Sequence, residues 1–143
     1  MFTWPVRVYW EDTDGGGVVY HSQYVNFFER ARTEWLRSIG LDQSRLQSEL
    51  NLVFAIHRIE VGFIRPARLD DQLIVSVKPE WKSAARMQFK QTITKATHSD
   101  QDDTQNELIA TADVYAVSLS AREFKPVRIP DTISEIFKNT IKS

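Results

Sequence analysis

Asp14 stands at the head of Asp14-Gly15-Gly16-Gly17, and His21 follows seven positions later. A carboxylate in a turn can attack an electrophilic carbon or take a proton from water. Gly16 and Gly17 carry no side chain, so backbone there can approach a ligand closely. If a helix begins near His21, its first N–H groups lack intrahelical acceptors and its dipole presents a positive pole, which suits stabilisation of charge developing on a carbonyl oxygen. The same residues admit a plainer account. Asp before Gly is ordinary turn chemistry, and a histidine at a helix start can serve a local hydrogen bond. Tyr20 and Tyr24 flank this point as packing residues whose hydroxyls are available to a pocket.

The elements that must position these residues follow from periodicity. Val6, Val8 and Trp10 alternate with Arg7 and Tyr9, the period-two pattern of a strand leading into the acidic turn. Tyr24, Phe27, Phe28, Ala31, Trp35, Leu36 and Ile39 then recur at helical spacing. Ser22 is the expected N-cap and Gly40 the expected stop, giving a helix of about sixteen residues, roughly 24 Å. A short helix is expected over Gln43–Leu50, then strands over Ala55–Arg65, Gln72–Trp81, Arg86–Ala96 and Leu108–Ser120. Pro79 implies an edge or a bend in the second of these strands, and the polar run Thr97–Asn106 is expected to be a mobile hairpin tip. Ile133, Ile136, Phe137 and Ile141 suggest a terminal helix introduced by Asp131. One long apolar helix among strands points to an α+β domain in which an antiparallel sheet wraps the helix. A sheet covering one helix leaves an open edge or face, so a homo-oligomer is expected.

The 143 residues suit a single domain, 1–143, with no internal repeat or linker. Hydrophobic residues make up 42% and charged residues 26%, and no apolar run reaches membrane-spanning length. The absence of cysteine excludes disulfides, zinc–cysteine sites and thiol nucleophiles. The first residues show no secretory signal pattern, so a cytoplasmic location is expected. Eighteen basic against nineteen acidic residues leave a formal charge of −1 without charge blocks, which argues against a nucleic-acid partner.

The stretch Val6-Arg7-Val8-Tyr9-Trp10-Glu11-Asp12-Thr13-Asp14-Gly15-Gly16-Gly17-Val18-Val19-Tyr20-His21, continuing through Tyr24 and Phe28-Glu29-Arg30-Ala31-Arg32-Thr33-Glu34, closely resembles the hotdog-fold acyl-CoA thioesterases. It is most similar to the YbgC-type enzymes associated with the Tol-Pal system, relatives of 4-hydroxybenzoyl-CoA thioesterase. Pro66-Ala67-Arg68-Leu69-Asp70-Asp71 and Lys125-Pro126-Val127-Arg128-Ile129-Pro130 extend the resemblance over nearly the whole chain. It implies a long central helix wrapped by a curved antiparallel sheet, active sites at a dimer interface and often a dimer of dimers. It implies an acyl-CoA substrate and assigns the chemistry to Asp14, with His21 at the helix start. Many members have Ala where this chain has Gly15, a departure that loosens the turn.

On this reading the thioester carbonyl accepts from the N–H near His21, while Asp14 attacks it to form an anhydride or serves as base to water; both routes stay open. The His21 side chain positions the water or the sulfur. No cofactor is expected. A calcium loop starting at Asp12 fails because Gly16 offers no side-chain ligand and Gln23 stands where a bidentate glutamate belongs, and no magnesium site is expected among Glu11, Asp12 and Asp14. Lys82, Arg86, Arg65 and Arg68 are candidates for the phosphates of coenzyme A, with solvated surface charge as the plainer alternative. Glu29, Arg30, Arg32 and Glu34 are expected to form surface pairs, with support of the site as the open alternative for Glu29, and His57 and His98 receive no role. Two other functions compete: an acyl hydratase or dehydratase, and a noncatalytic scaffold for acyl carrier protein or Tol-Pal components.

Overall fold

The computed structural model describes residues 1–98 and 104–142. Five strands form one antiparallel sheet: β1 (Phe2–Arg7), β2 (Leu52–Phe63), β3 (Gln72–Ser83), β4 (Arg86–His98) and β5 (Thr104–Ser120), in the spatial order β1-β3-β4-β5-β2. The described residues also form the α-helices α1 (His21–Ser38), α2 (Gln43–Leu50) and α3 (Asp131–Lys142). No described helix is long and apolar enough to cross a membrane.

The apolar stripe of α1 becomes the centre of the core. Phe27, Phe28 and Ala31 are fully buried, with Tyr24, Trp35 and Leu36 nearly so, against Val6, Leu73, Val75, Val77 and Ile93 of the sheet. Burying each such large side chain contributes about 1.5–3 kcal/mol. The helix stops where expected. Gly40 has φ +84, its N–H donates to Arg37 at 3.0 Å, and Leu41 N–H donates to Leu36 at 3.0 Å, a Schellman closure. α3 folds back so that Phe137 stacks on Trp35 with ring centroids 5.7 Å apart.

Several expectations are corrected. Trp10 is not strand: β1 ends at Arg7, and Trp10–Asp12 forms a 3₁₀ turn with Trp10 65% exposed. The alternation there reflected a turn that buries Val8 and Asp12 while turning Trp10 outward. Ser22 lies inside α1 rather than capping it; the N-cap is Tyr20, whose side chain makes no capping hydrogen bond. β2 begins at Leu52 and ends at Phe63, since Ile64 and Arg65 leave the ladder and both donate to the Ile109 carbonyl. His98 pairs with Thr104, so the strands run into the polar stretch read as loop, and residues 99–103 of that expected tip lie outside the described residues. Pro79 is accommodated because β1 pairs only with Gln72 to Val77 of β3, leaving the strand with β4 as its one neighbour at Pro79.

Candidate active site

The acidic loop is built from the backbone outward. After the 3₁₀ turn, Thr13 bridges Val19, Asp14 N–H donates to Val18 at 3.0 Å and Tyr20 N–H donates to Asp12 at 2.9 Å. The chain therefore leaves and returns along one narrow hairpin whose tip is Gly15–Gly17. Gly15 and Gly17 have φ +86 and +89, backbone that L side chains rarely adopt. Gly15 suits this conformation, and across the turn the Asp14 Oδ1 accepts from Gly16 N–H at 2.7 Å.

A second turn holds this hairpin in place. Val18 bridges Arg68, Val19 N–H donates to Ala67 at 2.8 Å, and Leu69 N–H donates to Gly17 at 3.1 Å. The turn is itself fixed by Asp71, whose carboxylate accepts from Arg68 N–H at 2.8 Å and pairs with Lys95 at 2.9 Å. The Pro66–Asp71 segment thus has a physical role: it buttresses the acid loop.

Returning through Val19, the chain enters α1 with Tyr20 extended (φ −66, ψ 136) and His21 as the first helical residue. Gln23 N–H closes onto the Tyr20 carbonyl at 2.9 Å, while among the described residues nothing accepts from the N–H of His21 or Ser22. No acidic side chain lies in the first turn. The positive pole of an 18-residue helix is therefore open at this point.

Asp14 and His21 both lie on the exposed surface of the chain. Asp14 is two residues along the hairpin from the Tyr20–Asp12 bond, roughly 7 Å by extended rise, and no hydrogen bond joins it to His21 among the described residues. The His21 ring is held edge-on by Tyr20, with centroids 4.4 Å apart, and by Phe63 at 6.4 Å. Tyr20 stays exposed and can present its hydroxyl to a ligand. Tyr24 is 4% exposed, packs against Phe27 and Phe63, and turns its hydroxyl inward to accept from Ala67 N–H at 3.0 Å. Its packing role is as expected; its hydroxyl serves the buttressing turn rather than an open pocket.

Asp12 and Phe63 touch the candidate site, in which sequence reasoning gave them no part. Asp12 is 3% exposed, and its Oδ2 accepts from Tyr9 N–H at 2.8 Å, fixing the entry to the loop. The Asp12-x-Asp14 spacing was visible, but not that one carboxylate faces in and the other out. Phe63 ends β2 and is 55% exposed beside His21; nothing local marked it. Of the four basic candidates, Arg65 pairs with Glu107 and Lys82 with Glu80. Arg68 has no carboxylate partner among the described residues and lies directly across from Val18. Arg86 lies at the distant β3–β4 turn. Of the expected helix-surface pairs, Glu34 meets Arg37, whereas Arg32 reaches inward to Gln91.

A family model described as the thioesterase-like superfamily matches residues 8–137. The chain belongs to that superfamily. Within the thioesterase-like proteins it is 40% identical over 138 residues to the acyl-CoA thioester hydrolase YbgC of Escherichia coli, covering 96% of each chain. It is 36% identical over 136 residues to the acyl-CoA thioesterase YbgC of Haemophilus influenzae, covering 95% of this chain and 93% of that one. The crystal structure of a 1,4-dihydroxy-2-naphthoyl-CoA thioesterase from Synechocystis superposes with a TM-score of 0.82 at 26% identity, covering 99% of this chain and 96% of that one. The α+β hotdog architecture expected from the sequence is the one found.

Proposed function

We propose that this acyl-CoA thioesterase uses Asp14 as its reacting carboxylate and the N-terminus of α1 as its oxyanion site. The observation that supports the reading is the hairpin bond from Tyr20 N–H to Asp12 O, which joins the loop carrying exposed Asp14 to the start of α1. The thioester carbonyl oxygen accepts from the His21 or Ser22 N–H, where the dipole and unpaired donors stabilise the developing negative charge. Asp14 then follows one of two routes. It adds to the carbonyl carbon, expelling the coenzyme A thiolate and leaving an anhydride that water opens, or it takes a proton from water as the hydroxide adds and the C–S bond breaks. The products are the free acid and coenzyme A.

Gly16 and Gly17 let the ligand approach the loop backbone, Tyr20 walls the entrance, and the His21 ring orients water or sulfur. Tyr24 supports the pocket through Ala67. Arg68, without a carboxylate partner among the described residues, meets the coenzyme A phosphates. A second copy across β2 completes the site, in a homodimer or a homotetramer; the support is the open outer edge of β2 together with exposed Ile56, Phe63 and Ile64. The reaction belongs to the cytoplasm, where coenzyme A thioesters are held. Acyl carrier protein as an alternative acyl donor and a link to Tol-Pal are part of the same proposal, supported by the family resemblance. Thiol release from a panel of acyl-CoA thioesters tests the reading: release by the wild type and its loss in Asp14→Asn is expected. Partner binding without release from any thioester favours a scaffold, and double-bond hydration without release a hydratase.

A further inference from the structure

Arg32 lies on the stripe of α1 that begins at His21 and continues through Val25, Glu29 and Leu36. A cavity of about 370 Å³ separates this stripe from the core-side face of the sheet, where Ile56, Ile59, Phe89 and Ala116 line it. Its first residue on α1 is Val25, one turn beyond His21. The volume suits an acyl group and is too small for coenzyme A.

The sheet side of this cavity is apolar, and its polar groups, Glu29, Arg32, Thr33 and Gln43, come from the helices. Arg32 Nη1 donates to Gln91 Oε1 at 2.9 Å. Gln91 is 2% exposed, and its Nε2 donates to Phe28 O at 3.1 Å and Ser76 O at 3.3 Å, so its amide is locked with the oxygen toward Arg32. A guanidinium has five N–H donors, and Gln91 takes one of them. Among the described residues no carboxylate pairs with Arg32. Burial lowers its pKa to about 10, with the Glu29 charge acting in the opposite direction, so it remains a cation at neutral pH. Glu29 is exposed, lines the same cavity and makes no ion pair with Arg32 among the described residues. A partly desolvated guanidinium with free donors is satisfied best by a bidentate carboxylate.

We infer that Arg32 is a specificity-determining residue that receives a carboxylate at the far end of the acyl chain, making monothioesters of dicarboxylic acids better substrates than plain alkanoyl thioesters of equal length. The inference rests on the thioesterase reading, because the chain is measured from a carbonyl held at the α1 N-terminus. From His21 to Arg32 the axial distance is roughly 16 Å, and an arginine side chain leans toward the helix N-terminus, leaving on the order of 10 Å for the acyl chain. A medium-length diacid fills that span with its far carboxylate at the guanidinium.

The experiment compares kcat/KM for suberyl-CoA and octanoyl-CoA in the wild type, Arg32→Gln and Arg32→Lys, with thermal melts to confirm folding. The wild type is expected to prefer suberyl-CoA by about tenfold or more, the range of one charge-assisted contact. Arg32→Gln should abolish or reverse the preference, and Arg32→Lys should retain part of it. Calorimetric binding of suberate against octanoate gives a readout without turnover, in which only the wild type and Arg32→Lys favour the diacid. Equal kcat/KM for the two thioesters in the wild type, or an unchanged ratio in folded Arg32→Gln, overturns the inference while leaving the thioesterase reading intact. An oligomer that dissociates in Arg32→Gln with the ratio preserved also overturns it, assigning Arg32 to a second copy. Absence of thiol release from every thioester defeats the underlying reading instead.

Discussion

The carbonyl oxygen of Asp12 accepts from the N–H of Tyr20 at 2.9 Å, and this bond joins the acidic loop to the first turn of α1. Asp12 thus works on both sides of the site: its backbone holds the helix start, and its buried carboxylate holds Tyr9. The exposed Asp14 two residues later inherits its position from these contacts.

Asp14→Asn keeps the side-chain oxygen that accepts from Gly16 N–H, so the turn should survive with little change in Tm. The reacting carboxylate is gone, and kcat should fall at least about a hundredfold. Steady-state thiol release beside a thermal melt checks this. Near-normal turnover by the folded variant removes Asp14 from the mechanism.

Asp12→Ala leaves Tyr9 N–H without its acceptor in a part-buried setting and should cost about 1 kcal/mol in chemical denaturation. It should also lower kcat, because the loop entry loosens. Asp12→Asn, which still offers an oxygen, should recover most of both losses. A kcat insensitive to either substitution contradicts the positioning role.

Gly16→Ala and Gly17→Ala should part company. A Cβ at Gly16 meets Asp14 Oδ1 at 3.0 Å, so alanine there should displace the carboxylate and reduce kcat with a small effect on Tm. At Gly17 a Cβ finds open space, but φ is +89, and alanine should cost roughly 1–2 kcal/mol of stability through backbone strain. Paired melts and kinetics separate the two.

Arg68→Ala should raise KM for acyl-CoA several-fold at unchanged kcat, the pattern of lost uniform binding. The difference from wild type should shrink as salt is added. An unchanged KM at low ionic strength argues against phosphate recognition by this residue.

Asp42 caps α2, accepting from Arg45 N–H at 2.8 Å and from the Ser44 hydroxyl at 2.8 Å; the Arg45 backbone bond, then the Ser44 bond, hold its pKa below the ordinary carboxylate value. Because the folded value is the lower one, the cap's contribution is complete above the unfolded pKa and is lost as pH falls through the depressed one. Asp42→Ala should therefore lower Tm by a few degrees at neutral pH and make little difference in strong acid. Melts of both proteins across the acid range test the sign.

Legibility of the chain followed the range of the forces involved. α2 spans Gln43–Leu50 as expected, and α1 ends at Ser38 with Gly40 as its expected left-handed stop, because apolar spacing and a left-handed residue act within a turn. The start of α1 was misread at Ser22. Its true cap, Tyr20, is fixed by a bond to Asp12 across the hairpin, a partner that helical periodicity cannot report. Arg32 looked like a surface charge among others on its helix, and only the fold brings Gln91, 59 positions away, against it.

By itself the sequence determined the chemistry on offer: a carboxylate, small backbone beside it, and a helix with an open positive pole, all set by residue type and near-neighbour spacing. The tertiary structure decided which carboxylate faces the solvent, what buttresses its loop and where a cavity meets the helix. Those outcomes depend on hydrogen bonds and packing between segments far apart in the chain, whose pairing leaves no period in the residues on either side.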